Sequence, residues 1–260
     1  MRNGKISLKS ILIVDDDEDA LNLYAGLLKK KMKCHIMATK FPSLAIKLAN
    51  KHFFDIILID VSMVYHDTQF GGIEVYKSLL GRYGDSSLIV YSQFINDNFL
   101  GQYELDFNFI EKKENPKIFI DELVNLMYKL RVQQRCFVAM PFDRNYIDVF
   151  NTVKKSVDKA LYKCVRMDKK QFNSSIVDEI FKEIQNAKLI IFIATDKNPN
   201  AFYECGYSLA LKKEIITVTD IYENLPFDIR DRNSIAYGTN LQRLNSNLNA
   251  KLTKLTHISL

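Results

Sequence analysis

The feature that most constrains this chain is an alternation of short apolar runs with stretches of helical spacing. Runs that are apolar throughout suit strands buried on both faces. Strands alternating with helices are the pattern of a parallel sheet covered by helices on both sides. In the first half the runs predict strands over 10–15, 33–39, 55–60, 87–92 and 107–112. Helices are expected near 18–31, 42–51, 72–82, 96–104 and 116–130. The pattern then restarts, with strands over 135–140, 164–168, 189–196 and 214–220. Helices over 145–162, 174–187, 200–212 and near 240–254 complete it. The expected fold class is α/β, two doubly wound parallel-sheet domains in tandem.

A length of 260 residues suits two domains of about 130 residues each, and we expect residues 1–130 and 131–260 to form them. Residues 131–135, RVQQR, are the expected junction, short and without Gly or Pro. With 47% apolar and 26% charged residues, the composition is that of a globular protein. No run approaches the roughly 18 apolar residues of a membrane span, and the start of the chain lacks the apolar stretch of a signal peptide. The expectation is a cytoplasmic protein. Cys34, Cys136, Cys164 and Cys205 are scattered, without a metal-binding spacing, which argues against a disulfide framework or zinc site. Residues 1–130 carry net charge −1 and residues 131–260 net +6. The basic half permits phosphorylated ligands, but without an Arg-rich stripe nucleic acid is an unlikely partner.

Ligands of open parallel sheets sit beyond the carboxyl ends of the strands. In the first half those ends carry Asp15, Asp16, Asp60, Ser92 and Lys112. Three carboxylates converging on one edge call for a hard cation, and Mg²⁺ suits an all-oxygen set. A carboxylate, a hydroxyl and an ammonium around such an ion are the components of phosphoryl transfer to an aspartate.

This half, over about residues 8–130, resembles the receiver domain of two-component response regulators. The resemblance implies that Asp15 and Asp16, with Asp60, hold Mg²⁺ and that Asp60 accepts the phosphoryl group from a sensor histidine kinase. It assigns Ser92 as the switch hydroxyl, Lys112 as the phosphate-binding lysine and Phe109 as the aromatic that repacks on activation; Asp17 is a bystander. Two departures stand out. The loop after Asp60, VSMVYHDTQFGG, is longer than usual and lacks the customary Met-Pro and Asp-Gly, and Lys113 replaces a proline.

In the second half four segments stand out: FVAMPFD (137–143), RMD (166–168), TDKNPNAFYECGYSLAL (195–211) and LPFDIR (225–230) followed by Tyr237. The first, third and fourth lie at expected strand ends. Asn198 suits a helix cap and Pro199 its first turn, which sets Glu204 about one turn inside the helix. Gly206 would allow close approach of the backbone to a strand or ligand. Core packing is expected for Phe137 and Phe192, and a solvated or ion-paired role for Arg166 and Arg230.

Over about 135–240 this half is similar to the TIR-like and nucleoside 2-deoxyribosyltransferase superfamily. The resemblance rests on F-V-x-M-P-F, N-P-N-x-x-Y-E-x-G-Y and P-F-D. It implies a flavodoxin-like fold and a nucleotide crevice, with Glu204 attacking or stabilising an anomeric carbon as an N-glycosidic bond breaks, a step in which positive charge develops on the sugar. Asp168 and Asp196 would hold ribose hydroxyls, and Phe142, Tyr203 and Phe227 would stack on a base. Met140, Pro141, Asn198, Asn200 and Asp228 are further candidates to line the crevice. Cys205 and Ser208 depart from the usual residues without removing a chemical group.

The expected protein is therefore a response regulator with a nucleotide-handling output. Two alternatives for the output stay open: a nucleoside or NAD glycohydrolase or transferase using Glu204, or a non-catalytic module that senses a nucleotide or recruits a partner. A homodimer is a candidate assembly. No helix-turn-helix pattern follows residue 131.

Overall fold

The computed structural model describes residues 8–65, 70–93, 99, 101–103, 107–141, 143–167, 176–230 and 233–255. Phe142, Asp168 and most of the expected 96–104 helix lie outside the described residues. The chain divides into two compact units that meet in sequence at Gln133 and Gln134.

The first unit contains β1 (Ser10–Val14), α1 (Glu18–Lys31), β2 (His35–Thr39), α2 (Pro42–Lys51), β3 (Ile56–Asp60), α3 (Gly71–Tyr83), β4 (Leu88–Ser92), β5 (Phe109–Glu111) and α4 (Pro116–Arg131). Its strands are parallel, in the order β2-β1-β3-β4-β5. Period-two alternation divides their side chains between two cores. Leu12, Val14, Ile57, Ile59 and Val90 pack with Ala45, Ala49, Ile73 and Leu79 on one face. Ile11, Ile13, Leu58, Ile89 and Tyr91 pack with Leu21, Leu28, Phe119 and Leu123 on the other. Helix α1 starts where Asp17 accepts the backbone N–H groups of Asp19 and Ala20 at 2.9 and 3.1 Å. Glu18 and Asp19 in its first turn and Lys29, Lys30 and Lys31 in its last complement the helix dipole.

The second unit contains β6 (Arg135–Ala139), α5 (Ile147–Lys159), β7 (Lys163–Val165), α6 (Ile176–Asn186), β8 (Ala187–Ile193), α7 (Pro199–Ala210), β9 (Glu214–Thr219), the one-turn α8 (Phe227–Arg230), β10 (Ser234–Ala236) and α9 (Leu241–Leu255). The parallel order is β10-β9-β8-β6-β7. Numbered within its own unit this is again 2-1-3-4-5, so both units have the flavodoxin-like order, with a switch point between their first and third strands. Phe137 and Phe192 are core residues.

Several expectations are corrected. The strand expected over 189–196 is Ala187–Ile193; the chain leaves the sheet before Asp196, whose φ of 64° is left-handed. The helix expected over 145–162 opens with a tight turn at Arg144–Tyr146 and is α-helical over Ile147–Lys159. Strand β10 was not anticipated, and LPFDIR contains the short helix α8. A Cβ built at Gly206 meets nothing within 4 Å, so no close approach explains that glycine. Arg166 lies over the Phe150 ring at 4.3 Å, and the Arg230 guanidinium donates to the carbonyls of Glu223 and Leu225. All four cysteines are free. Among the described residues no helix is long and apolar enough to cross a membrane.

Candidate functional site

In the first unit, β1 and β3 flank the switch point, and their carboxyl ends deliver Asp15, Asp16 and Asp60. One oxygen from each lies within 4.8 Å of the others; Asp15 and Asp60 are buried and Asp16 is exposed. Lys112, just past β5, is set by its backbone N–H donating to the Ser92 carbonyl at 2.8 Å. Its Nζ donates to Asp15 Oδ2 and Asp60 Oδ2, both at 3.1 Å. Asp60 Oδ1 accepts the Ser62 backbone N–H at 3.1 Å, and the Ser62 and Ser92 hydroxyls meet at 2.8 Å. Phe109 is half-buried against the β3–β4 core.

Burial raises the Asp60 pKa to about 6; Lys112 opposes this and the Asp15 charge adds to it. Burial works against the Lys112 charge, but Asp60 and Asp15 outweigh it and raise its pKa. One ammonium thus sits between two buried carboxylates with a third at the rim. An all-oxygen set of this size and charge fits a divalent cation of Mg²⁺ type. The pocket therefore meets the requirements for cation binding and for nucleophilic attack by a carboxylate on phosphorus.

Two partners were not found from sequence. Tyr91, fully buried on β4, donates its hydroxyl to Asp15 Oδ2 at 2.8 Å, and its ring lies 5.0 Å from Lys112 Nζ. Burial, and after it the Asp15 charge, raise its pKa well above the ordinary range, so it stays a donor. A buried tyrosine hydroxyl needs a polar partner, and its place one residue before Ser92 was the available signal. The other is Ser62. Asp17 stands outside the cluster as the cap of α1.

The loop after Asp60 returns through a glycine pair. A Cβ at Gly72 would lie 1.9 Å from the Asp60 carbonyl oxygen, and one at Gly71 2.3 Å from Tyr65 Cβ. The N–H groups of Gly71 and Gly72 donate to the carbonyls of Met63 and Val61, which pins the end of the loop to the residues that follow the Asp60 strand.

In the second unit the switch point lies between β6 and β8. Met140 and Pro141 follow β6 and are buried. Asp196 follows β8 and accepts the Tyr146 hydroxyl. Asn198 caps α7, its Oδ1 accepting from Asn200 and Ala201 at 3.1 and 3.2 Å, so that oxygen is committed to the helix. Glu204 is buried and its carboxylate has no hydrogen-bond or ion-pair partner among the described residues; burial raises its pKa to about 7. Tyr203, the preceding residue, is 63% exposed, its ring 5.7 Å from that of Phe181. Adjacent helical positions point in different directions, and these two side chains are not brought together. Asn200 and Asp228 are exposed, and Phe227 is 79% exposed on α8. Tyr237 is buried. A cavity of about 360 Å³ is lined by Lys197, Pro199, Phe202, Glu223, Leu225 and Pro226; Glu204 does not line it.

Comparison with known proteins bears on the first unit. Residues 11–122 match the family model described as response regulator receiver domain. Among solved structures, the chain is similar to a CheY-like receiver domain protein from Methanospirillum hungatei JF-1, at 20% identity over 48% of this chain and 97% of that one, with a TM-score of 0.37. The Francisella response regulator 1452 receiver domain matches at 24% identity over 46% and 97%, TM-score 0.38. Vibrio cholerae chemotaxis protein CheY4 matches at 17% identity over 46% and 99%, TM-score 0.37. No curated protein matches the chain.

Proposed function

Residues 11–122 are a receiver domain of a two-component response regulator, and from that premise we propose that the chain accepts a phosphoryl group on Asp60 and relays that state to a nucleotide-handling second unit. The observation that carries the first part is the position of Lys112 Nζ, 3.1 Å from both Asp15 Oδ2 and Asp60 Oδ2. The donor is a phosphohistidine of a sensor kinase. A carboxylate oxygen of Asp60 forms the new bond to phosphorus as the bond from phosphorus to the histidine nitrogen breaks, and the imidazole leaves with the electron pair. Lys112 then exchanges a carboxylate for a phosphoryl oxygen, and the Ser92 hydroxyl exchanges Ser62 for another. Asp15, Asp16 and Asp60 would hold Mg²⁺, which when bound neutralises charge on the transferring group. Incubation with acetyl phosphate and Mg²⁺ should give a single phosphoryl adduct by intact mass. An adduct that persists at full yield in Asp60→Asn would remove Asp60 as the acceptor.

For the second unit, the Glu204 carboxyl, buried and without a partner among the described residues, supports N-glycosidic chemistry on a nucleoside or NAD. With a pKa raised to about 7 by burial, it can move a proton near neutrality or meet developing positive charge at a sugar carbon. Release of free base from NAD or nucleosides, lost in Glu204→Gln, is the expected result. The reading of a binding module without turnover is favoured by one fact: the cavity of about 360 Å³ beside α7 is not lined by Glu204. Binding heat without base release would select it. Coupling between the units is expected as a change in ligand affinity or oligomeric state on addition of beryllofluoride, and no change in either would reject it.

A further inference from the structure

The edge of the second sheet carries a second group of charged residues that plays no part in the Glu204 site. Among the described residues strand β10 pairs with β9 alone, and α9 runs beside it. Leu244, Leu248 and Leu252 are buried and fix one stripe of α9 in the core. A neighbouring stripe at the same helical spacing carries Arg243, Asn247, Lys251 and Lys254. These four, with Asn233 and β10, line a cavity of about 540 Å³ whose described lining holds three cations and no carboxylate. Lys251 Nζ donates to Asn233 Oδ1 at 2.7 Å. Burial, and then the charge of Lys254, hold Lys251 below the ordinary lysine pKa. Arg243 and Lys254 have no ion-pair partner among the described residues.

Like charges gathered along one concave surface whose described lining holds no carboxylate raise the local potential and favour an anion. The cavity volume lies in the range of small-molecule sites. Three cations on one helix stripe fall short of the extended basic footprint that a nucleic-acid backbone requires. The Asn247 amide adds a donor and an acceptor for uncharged groups, whereas the Asn233 amide is engaged by Lys251 and Glu214.

We propose that the cleft between β10 and α9 binds a phosphorylated small molecule of nucleotide size, with its phosphates at the Lys251–Lys254 end. The helix that bears Glu204 packs on β6 and β8, and β8 is two strands in from this edge, so the proposal stands whatever Glu204 does.

Calorimetric titration of the full chain in magnesium-free buffer with ATP, ADP and inorganic pyrophosphate tests it. Binding is expected in the wild type and in Lys163→Gln, an exposed lysine on β7 at the opposite edge that controls for general loss of charge. Loss of two charge-assisted contacts in Lys251→Gln/Lys254→Gln should weaken binding by roughly tenfold or more. If the double variant does not fold, Lys254→Gln alone, at an exposed position, should still weaken it several-fold. Absence of binding by all three probes would overturn the proposal, as would equal affinity in the lysine variants. A single-stranded oligonucleotide that binds through these lysines where ATP and pyrophosphate do not would equally overturn it.

Discussion

Two units with one strand order treat buried carboxylates in opposite ways. In the first, Asp15 and Asp60 are buried around Lys112, with hydroxyl and amide donors from Tyr91 and Ser62. In the second, Glu204 is buried with no such partner among the described residues, and its pKa rises to about 7. Interior carboxylates are tolerated either by pairing or by keeping their proton, and this chain uses both. A paired cluster can exchange one cation or oxygen for another without ever leaving a charge bare. A lone acid cannot do that, but it can release or take up a proton near neutral pH.

The comparison makes predictions of opposite sign. Lys112→Met leaves two buried carboxylates without their cation, which should cost about 3–5 kcal/mol in magnesium-free denaturant titrations, with part recovered on adding Mg²⁺. Stability equal to wild type in the absence of Mg²⁺ would break the paired description. Glu204→Gln should instead stabilise. Glu204 has a folded pKa above its ordinary 4.5, so the folded state binds the proton more tightly. Its contribution is complete below pH 4.5 and is lost as pH rises through about 7. The glutamine variant should therefore match wild type near pH 4 and exceed it at pH 8, by up to about 3 kcal/mol. A variant less stable than wild type at pH 8 would mean that the carboxylate has a partner.

Smaller effects sharpen the same contrast. Tyr91→Phe removes one donor from Asp15 Oδ2 but leaves Lys112, and should cost about 1–2 kcal/mol by thermal or chemical unfolding. It should also alter Mg²⁺ affinity, read by tyrosine fluorescence. Asn198→Ala should cost about 1 kcal/mol through the lost cap of α7 and leave Asp60 phosphorylation unchanged.

The parts legible in sequence were those set by local chemistry. Asp15, Asp60 and Lys112 were legible because strand ends place polar groups at one edge, and Asn198 with Pro199 because capping depends on few neighbours. Other features depend on contacts across the fold. Tyr91 lies in a strand buried on both faces, so the destination of its hydroxyl is decided by β1. Strand β10 is three residues long, too short for a periodic signal, and exists because β9 offers it an edge. Strand β8 begins two residues before its expected start because Ala187 and the buried Lys188 belong to it, and a lysine interrupts an apolar pattern.

Gly72 ties the return of the loop to the backbone of Asp60. With a Cβ position 1.9 Å from the Asp60 carbonyl oxygen, the residue admits no side chain unless the Asp60 backbone shifts. Gly71 is held as closely, its Cβ position 2.3 Å from Tyr65 Cβ and 2.8 Å from the Met63 carbonyl oxygen, so a side chain at either glycine has to move backbone that follows Asp60. A side chain at Gly72 would therefore be felt in the pocket itself, through the strand end that holds the Asp60 carboxylate beside Lys112.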